Sequence, residues 1–194
     1  MSVAADVSDW IATPAPFSGN KCGKNAVLSS DNSIVQRRPY PDVDVGDCVC
    51  YTVHPLPPGQ VWQTTVLETT TGWRDGLSVG VTATLPDVVP SYLLSYGSGH
   101  HEWNYGGITL WRNGRELSSG LPDLSILKPH QGVGLLLTAS GDLHVFFDGR
   151  HVKKVASGLP VNDHLWGAVN VYGNCTKIKS ELLSGELDGT VGPG

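Results

Sequence analysis

Residues 72–82 carry the clearest structural signal in the chain, and they read Gly72-Trp73-Arg74-Asp75-Gly76-Leu77-Ser78-Val79-Gly80-Val81-Thr82. From Leu77 onward, apolar residues alternate with small or polar ones. Successive side chains of a β-strand point to opposite faces, so this period of two predicts a strand. One face would carry Leu77, Val79, Val81 and Ala83, and the other Ser78, Gly80, Thr82 and Thr84. The pattern favours a packed sheet protein over a reaction centre.

Short segments of similar character recur along the chain and are bounded by turn residues. Eleven of them are candidate strands: Ala26–Leu28, Ile34–Arg38, Cys48–Val53, Val61–Glu68, Leu77–Thr84, Gly107–Arg112, Gly132–Ala139, Leu143–Phe147, His151–Ala156, Leu165–Val171 and Thr176–Leu182. Asn113-Gly114 and Asp148-Gly149 suit the positive φ angles of type I′ turns, so each predicts an antiparallel hairpin. We therefore expect an all-β fold, a two-sheet antiparallel β-sandwich.

Helical structure should be minor. The segment between Leu121 and Gly132 has room for one helical turn before Pro129 ends it. The composition agrees, because 24 glycines and 13 prolines beside only 16% charged residues suit short strands and tight turns.

One domain accounts for most of the chain, since 194 residues with 40% hydrophobic content can fill a single core. We expect residues 17–183 to form this domain. Residues 1–16, rich in Ala, Ser, Pro and Asp, are expected to be a flexible leader, and residues 184–194 a flexible tail. The predicted flexible segments at both ends suggest that the chain is a piece of a larger protein.

The charge balance argues against unspecific nucleic-acid binding, because the formal net charge is -5 and only 13 residues are Lys or Arg. The pairs Arg37-Arg38 and Lys153-Lys154 leave room for a small basic spot that contacts an acidic motif or a lipid headgroup. The chain begins without a secretion signal and contains no apolar run long enough to span a bilayer. We expect a soluble, cytoplasmic protein.

The four cysteines, Cys22, Cys48, Cys50 and Cys175, lack metal-ligand spacing. Cys48 and Cys50 are two residues apart, which places both on one face of a strand. We expect four reduced thiols and neither a metal nor a cofactor.

Signatures of catalysis fail in turn: neither a phosphate-binding Gly-x-x-x-x-Gly-Lys loop nor a His-Glu-x-x-His motif occurs. Gly76-Leu77-Ser78-Val79-Gly80 matches Gly-x-Ser-x-Gly, but it lies in the predicted strand and not at a strand-to-helix elbow. The nearest metal candidate is His100-His101-Glu102, but adjacent side chains of an extended segment point to opposite faces. A pair of glycosidase carboxylates could come from Asp75, Glu68, Asp142 and Asp148, although the spacing selects no pair. We therefore do not expect an enzyme.

Two groups of aromatic residues suggest two roles. Trp73, Phe147, Trp166 and Tyr172 lie in or beside the clear strands and are expected to pack in the core. Tyr96, Trp103 and Tyr105 lie among glycines in a segment without apolar periodicity. Aromatic side chains on such a loop can anchor a partner.

Several motifs, in order, resemble the Neuralized homology repeat, a β-sandwich interaction module related in shape to SPRY domains. They are Gly23-Lys24-Asn25-Ala26-Val27-Leu28-Ser29, Val35-Gln36-Arg37-Arg38, Pro55-Leu56-Pro57-Pro58-Gly59-Gln60-Val61, Gly72 to Thr82, His144-Val145-Phe146-Phe147-Asp148-Gly149 and Leu165-Trp166-Gly167-Ala168-Val169-Asn170-Val171-Tyr172-Gly173. Departures are His54 where the family has Arg, Asp148 where it has Asn, and Asn170 where it has Asp. The middle section resembles repeats of the multi-repeat neuralized-like proteins, which would imply centrosomal association.

The resemblance implies recognition without catalysis: the module holds a protein or peptide, a substrate or an adaptor, while a separate RING or SOCS-box segment or a bound ligase brings in ubiquitin transfer. It implies docking on loops at one end of the sandwich, for which the candidates are Arg37, Arg38, Tyr40, Tyr96, His101, Trp103 and Tyr105. The structural residues implied by the motifs are Trp73, Gly80, Phe147, Gly149, Trp166, Tyr172 and Gly173. Two alternatives stay open. One is a carbohydrate-binding or glycoside-hydrolysing sandwich, and the other is a phosphoinositide-binding module that uses Arg37, Arg38, Lys153 and Lys154.

Overall fold

A computed structural model of the chain describes residues 6–39, 48–71, 76–88, 103–113 and 115–185. This part of the chain is an antiparallel two-sheet β-sandwich, as the alternating sequence pattern predicts. Its fifteen strands are Ile11–Pro14 (β1), Phe17–Cys22 (β2), Ala26–Leu28 (β3), Ile34–Arg37 (β4), Val49–Pro55 (β5), Val61–Thr69 (β6), Leu77–Thr82 (β7), Trp103–Gly106 (β8), Thr109–Arg112 (β9), Arg115–Ser118 (β10), Gly132–Leu137 (β11), Leu143–Phe147 (β12), Arg150–Ala156 (β13), Trp166–Val171 (β14) and Cys175–Ser184 (β15).

Each sheet places strands that are far apart in the sequence next to one another. The first sheet has the order β13-β12-β11-β6-β15-β4-β3. Strand β1 belongs to the same sheet and pairs with residues 181–184 of β15, next to β4, which pairs with residues 177–179. The second sheet has the order β10-β9-β8-β7-β14-β5-β2. All the described strand pairs are antiparallel. Because successive strands such as β5, β6 and β7 belong alternately to the two sheets, the chain crosses repeatedly between the layers.

Strand β7 lies inside the second sheet, between β14 and β8. Its Leu77, Val79 and Val81 side chains belong to the main apolar cluster between the sheets, as the sequence pattern predicts. The alternate residues are buried as well, so both faces of β7 are covered.

All eleven predicted strands are present, with ends that coincide or shift by at most two residues. Two predicted hairpins are also confirmed: β9 pairs with β10, and β12 with β13. The φ angles of Asp148 and Gly149 are 50° and 78°, which is the left-handed geometry that a type I′ turn requires. Strands β1, β2, β8 and β10 were not among the eleven.

Residues 6–16 join the folded body, which corrects the expectation of a flexible leader over residues 1–16. Strand β1 pairs with the last part of β15, and the Val7 amide donates a hydrogen bond of 2.8 Å to the Gly149 carbonyl. Val7 is buried on the outer face of the first sheet against Val61, Leu136 and Phe146. These side chains form a small second apolar core outside the main one. The mostly polar composition of residues 1–16 gave no indication that Val7 contributes to it.

Helical structure is limited to three short 3-10 turns in the described residues: Pro86–Val88, Leu124–Ile126 and Val161–Asp163. The turn at 124–126 lies where the segment before Pro129 predicted one. No helix of the described chain is long and apolar enough to cross a membrane.

Candidate interaction surface

Four of the seven predicted partner-binding residues lie in the described chain: Arg37, Arg38, Trp103 and Tyr105. The other three, Tyr40, Tyr96 and His101, lie outside the described residues.

Trp103 and Tyr105 are core residues and not loop anchors, which corrects their assignment. They are the first and third residues of β8, and their side chains are 2% and 0% exposed. The Tyr105 hydroxyl donates to the Pro122 carbonyl, and burial raises the pKa of this phenol. Arg112 stacks over the Trp103 ring, 4.8 Å from its centroid. Large and small side chains do alternate over residues 103–106, but a segment of four residues is too short for the two-residue period to be recognised.

Arg37 also serves the fold. Its side chain is half-buried, and its Nη2 donates a hydrogen bond of 2.9 Å to the Gly173 carbonyl. Gly173 has a φ of 53°, so a glycine suits that turn. Its neighbour Arg38 is exposed, and the Arg38 amide donates to the Asn25 carbonyl at 2.8 Å. Of the four described candidates, Arg38 alone is exposed to a partner.

The loops around Arg38 are joined by a chain of hydrogen bonds. Asn174 Nδ2 donates to the Ser125 carbonyl at 2.9 Å, and the Leu124 amide donates to the Gly107 carbonyl at 3.1 Å. The Asp123 carboxylate caps the 3-10 turn by accepting from the Ser125 amide at 2.9 Å. Residues 23–25, 37–38, 106–109, 123–131 and 172–174 therefore form one connected surface, which we name the Ile126 end.

Two apolar side chains are exposed on the Ile126 end. Ile126 is 61% exposed and Ile108 is 50% exposed. Ile108 follows Gly107, whose carbonyl is bonded to the turn that carries Ile126, so the two isoleucines belong to neighbouring loops. The exposed Arg38 lies on another loop of the same connected surface. Sequence reasoning missed the isoleucines because Ile108 falls in a predicted strand and Ile126 in a segment predicted to form a helical turn, and neither pattern marks them as exposed.

The segment that contains Tyr96 and His101 is flanked by described residues at the opposite end of the sandwich. Strand β7 begins at the Ile126 end, where the Tyr172 amide donates to the Gly76 carbonyl, and it ends at Thr82. Trp103 pairs with Val81 near that far end. Six strand residues span about 20 Å. The predicted site therefore divides into two parts. Arg37 and Arg38 lie at the Ile126 end, whereas the described residues next to the segment with Tyr96 and His101 lie at the far end.

The carboxylates considered for glycoside hydrolysis do not converge. Asp142 and Asp148 lie at opposite ends of β12. Lys177 bonds to the Glu68 carboxylate at 2.9 Å, and Gln131 Nε2 donates to Asp148 at 3.2 Å. Asp75 lies outside the described residues, as do His100, His101 and Glu102 of the candidate metal motif. Within the described ranges, no group of three or more His, Cys, Asp or Glu side chains is arranged to hold a metal ion.

The basic residues considered for phosphoinositide binding are also separated. Arg37 and Arg38 adjoin β4, while Lys153 and Lys154 lie on β13 at the far edge of the same sheet. Five strand spacings separate β4 from β13, or roughly 24 Å along the sheet. Lys154 lies 3.5 Å from the Asp142 carboxylate, and Lys153 donates to the Ser119 carbonyl at 2.9 Å.

The family model for Neuralized matches residues 17–181, which is most of the chain. The chain belongs to the Neuralized family. The match covers nearly all of the described sandwich, so the Ile126 end is part of a Neuralized homology repeat.

Two solved structures of this repeat are similar in fold. The crystal structure of the Drosophila melanogaster neuralized-NHR1 domain is 16% identical, with a TM-score of 0.64, and the match covers 86% of this chain and 97% of that one. The solution structure of the NHR domain in Neuralized from Drosophila melanogaster is also 16% identical, with a TM-score of 0.63 and coverage of 87% and 91%.

The SPRY domain of human HERC1 has a related fold. It is 16% identical, with a TM-score of 0.62, and the match covers 84% of this chain and 96% of the HERC1 domain. This likeness confirms the SPRY-like sandwich that the motifs implied.

Several residues of the Neuralized motifs have structural roles here. Gly80 and Trp166 are buried in β7 and β14, while Phe147 and Tyr172 are half-buried. A Cβ on Gly149 would lie 2.9 Å from the Ser8 hydroxyl. Trp73 lies outside the described residues. The bond from Arg37 to Gly173 joins two of these motifs, which are 136 positions apart in the sequence.

Proposed function

We propose that this Neuralized homology repeat is a non-catalytic protein-interaction module, and that it recruits a substrate or adaptor to a scaffold associated with a ubiquitin ligase. The partner is a protein or a peptide. It docks on the Ile126 end, where Arg38, Ile108 and Ile126 contact it. Tyr40, Tyr96 and His101, which lie outside the described residues, stay within the proposal as further candidates for contact with the partner.

Family membership over residues 17–181 is the observation that carries this proposal. Neuralized and SPRY domains are protein-interaction folds, and the match spans the sandwich of this chain. We infer the setting of a ubiquitin-ligase scaffold, and with it a cytoplasmic location, from the motif resemblance.

The Ile126 end supports the choice of surface. Ile126 and Ile108 expose apolar area on loops that hydrogen bonds and a capped turn hold in place. A pre-ordered loop loses little conformational entropy when a partner binds. Apolar anchors at the centre of an interface and an arginine beside them are a common composition of protein-binding surfaces.

Affinity purification from cells, with quantitative mass spectrometry, tests the proposal. The variant Arg38→Glu/Ile126→Asp removes the cation and the apolar contact. The matched control is Ile11→Asp, because Ile11 is 73% exposed and lies on β1, which pairs with the opposite end of β15. Circular dichroism establishes that both variants keep the β-sheet spectrum of the wild type.

We expect the double variant to lose its specific partners more than tenfold, since hot-spot changes cost about 2 kcal/mol or more. The control should keep them. Subunits of a ubiquitin ligase, or proteins that carry more ubiquitin when the module is overexpressed, should be among the partners. Partners that survive the double change would refute the Ile126 end as the docking surface. A partner set without ligase subunits or ubiquitin-dependent proteins would refute the recruitment role.

A further inference from the structure

The four cysteines, which are dispersed in the sequence, lie close to one another in the fold. Cys48 and Cys50 lie on the inner face of the second sheet, and Cys175 lies on the first sheet opposite them. Cys22 ends β2 and packs against the same cluster. All four are free thiols.

Cys22 and Cys50 are direct cross-strand partners between β2 and β5. The Gly23 amide donates to the Val49 carbonyl at 2.8 Å. The neighbouring residues 23 and 49 are thus hydrogen-bonded, so Cys22 and Cys50 are a non-hydrogen-bonded antiparallel pair. In such a pair the Cα atoms are about 4.5 Å apart. Disulfides form across Cα distances of about 4.4–6.8 Å.

The two members of this pair differ in exposure. Cys22 is half-buried, and its thiol donates to the Ser18 carbonyl at 3.2 Å. Cys50 is buried, and this burial raises its pKa. Cys48 and Cys175 are both buried, and burial raises the pKa of each thiol to about 12. A small oxidant in solution therefore meets Cys22 before the other three.

We propose that Cys22 and Cys50 form a reversible disulfide when the protein meets a hydroperoxide. In the first step the Cys22 sulfur attacks a peroxide oxygen, so that an S–O bond forms as the O–O bond breaks. The other peroxide oxygen leaves with the thiol proton, as water from hydrogen peroxide or as an alcohol from an organic hydroperoxide. Cys22 is now a sulfenic acid. In the second step the Cys50 sulfur attacks the Cys22 sulfur. An S–S bond forms as the S–O bond breaks, and the hydroxyl leaves as water with the Cys50 proton. The two sulfurs together lose two electrons, which reduce the peroxide.

The bond would join an edge strand to the body of its sheet. Strand β2 is the last strand of the second sheet and pairs only with β5 among the described strands of that sheet. The closed loop would contain residues 23–49 and hence Arg38. Oxidation would constrain the segment that carries the exposed arginine of the Ile126 end. The disulfide itself does not depend on the proposed function.

Peptide mapping of the full chain tests the pair. The reduced, folded protein is treated with hydrogen peroxide, its remaining thiols are alkylated after unfolding, and the linked peptides are identified by mass spectrometry. We expect a Cys22–Cys50 link as the dominant product, with Cys48 and Cys175 alkylated. A thiol reductant should restore both cysteines. Dominant links between other cysteines, a sulfinic acid at Cys22 without a link, or four unreacted thiols would each overturn the proposal.

Variants supply an independent check on the same chemistry. Cys22→Ser should abolish cross-linking and leave Cys50 alkylatable, because the half-buried residue would initiate the reaction. Cys175→Ala, in the same cluster, should retain the full Cys22–Cys50 yield. A loss of yield in Cys175→Ala equal to that in Cys22→Ser would contradict the assigned pair. The wild-type map needs no substitution, so it remains decisive if either variant fails to fold.

Discussion

The Trp62 ring packs directly against the backbone of Gly167. A Cβ atom at position 167 would lie 2.9 Å from three atoms of that ring, closer than real Cβ atoms approach their neighbours. Trp62 belongs to β6 of one sheet and Gly167 to β14 of the other. The two layers approach each other closely at this contact, which requires a glycine in the Trp-Gly-Ala motif of this chain.

Gly167→Ala should destabilise the fold by about 1–3 kcal/mol, because the added methyl group forces the large buried ring to move. Equilibrium urea unfolding measures this change. Gly106→Ala is the matched control, since a Cβ there meets its nearest atom, Ser78 Cβ, at 3.4 Å. The control should stay within about 0.5 kcal/mol of the wild type. Equal effects at the two glycines would contradict the close contact with Trp62.

Ser180 satisfies the indole of the same tryptophan inside the core. Trp62 Nε1 donates to Ser180 Oγ at 2.9 Å, and both side chains are buried. Ser180→Ala leaves the indole donor without its acceptor, which should cost about 1–3 kcal/mol in urea unfolding. In a Trp62→Phe background the same change should cost clearly less, because no donor remains. An identical cost in both backgrounds would show that the hydrogen bond contributes nothing.

Val7 closes the small core on the outer face of the first sheet. Val7→Asp places a carboxylate against Val61 and Phe146, and should lower the free energy of unfolding by about 2–4 kcal/mol. Ile11→Asp, on the same N-terminal segment but exposed, should change it by about 0.5 kcal/mol or less. If Val7→Asp proved as mild as Ile11→Asp, residues 6–16 would not belong to the cooperative fold.

A pair of histidines, the buried His144 and the half-buried His151, should make stability depend on pH. His144 Nδ1 and His151 Nε2 are 2.9 Å apart and share a hydrogen bond. Burial lowers the pKa of both imidazoles, and the neighbouring His151 lowers that of His144 further, although Asp142 opposes this shift. At a pH between the lowered pKa values of the two histidines in the folded protein and their value of about 6.5 in the unfolded chain, the unfolded chain binds more protons. Stability should therefore be full above that unfolded value and fall as the pH drops through the folded values.

The variant His144→Gln/His151→Gln tests this linkage. Its free energy of unfolding should change less than that of the wild type between about pH 7.5 and about pH 5.5. His54→Gln, at an exposed position on β5, should keep the wild-type dependence. The same slope in the double variant as in the wild type would rule out the histidine pair as its source.

The sequence predicts the strands well where the alternation of side chains is long. Six residues of β7 and the Asp148-Gly149 turn between β12 and β13 carry enough local signal to place a strand and a hairpin. Strand β8 is missed because four residues flanked by glycines show too few periods. The N-terminal segment is missed because Val7 contributes to a core that forms only when Phe146, far along the chain, is in place.

The candidate site is less predictable for the same reason. Arg37 and Arg38 are adjacent in sequence, yet the first bonds to a distant carbonyl and the second is exposed. Ile108 and Ile126 become neighbours through the bond between Leu124 and Gly107, which no local pattern encodes. Long-range hydrogen bonds between loops, rather than the loop sequences themselves, determine which side chains reach the surface together.

Site-specific photo-cross-linking tests the central claim that a protein partner docks on the Ile126 end. A photoreactive amino acid replaces Ile126 in one sample and Val53 in another. Val53 is 43% exposed and lies towards the opposite end of β5. Our account predicts that a partner captured by the wild-type module is cross-linked from position 126 and not from position 53. Efficient cross-linking from position 53, with none from position 126, would contradict it.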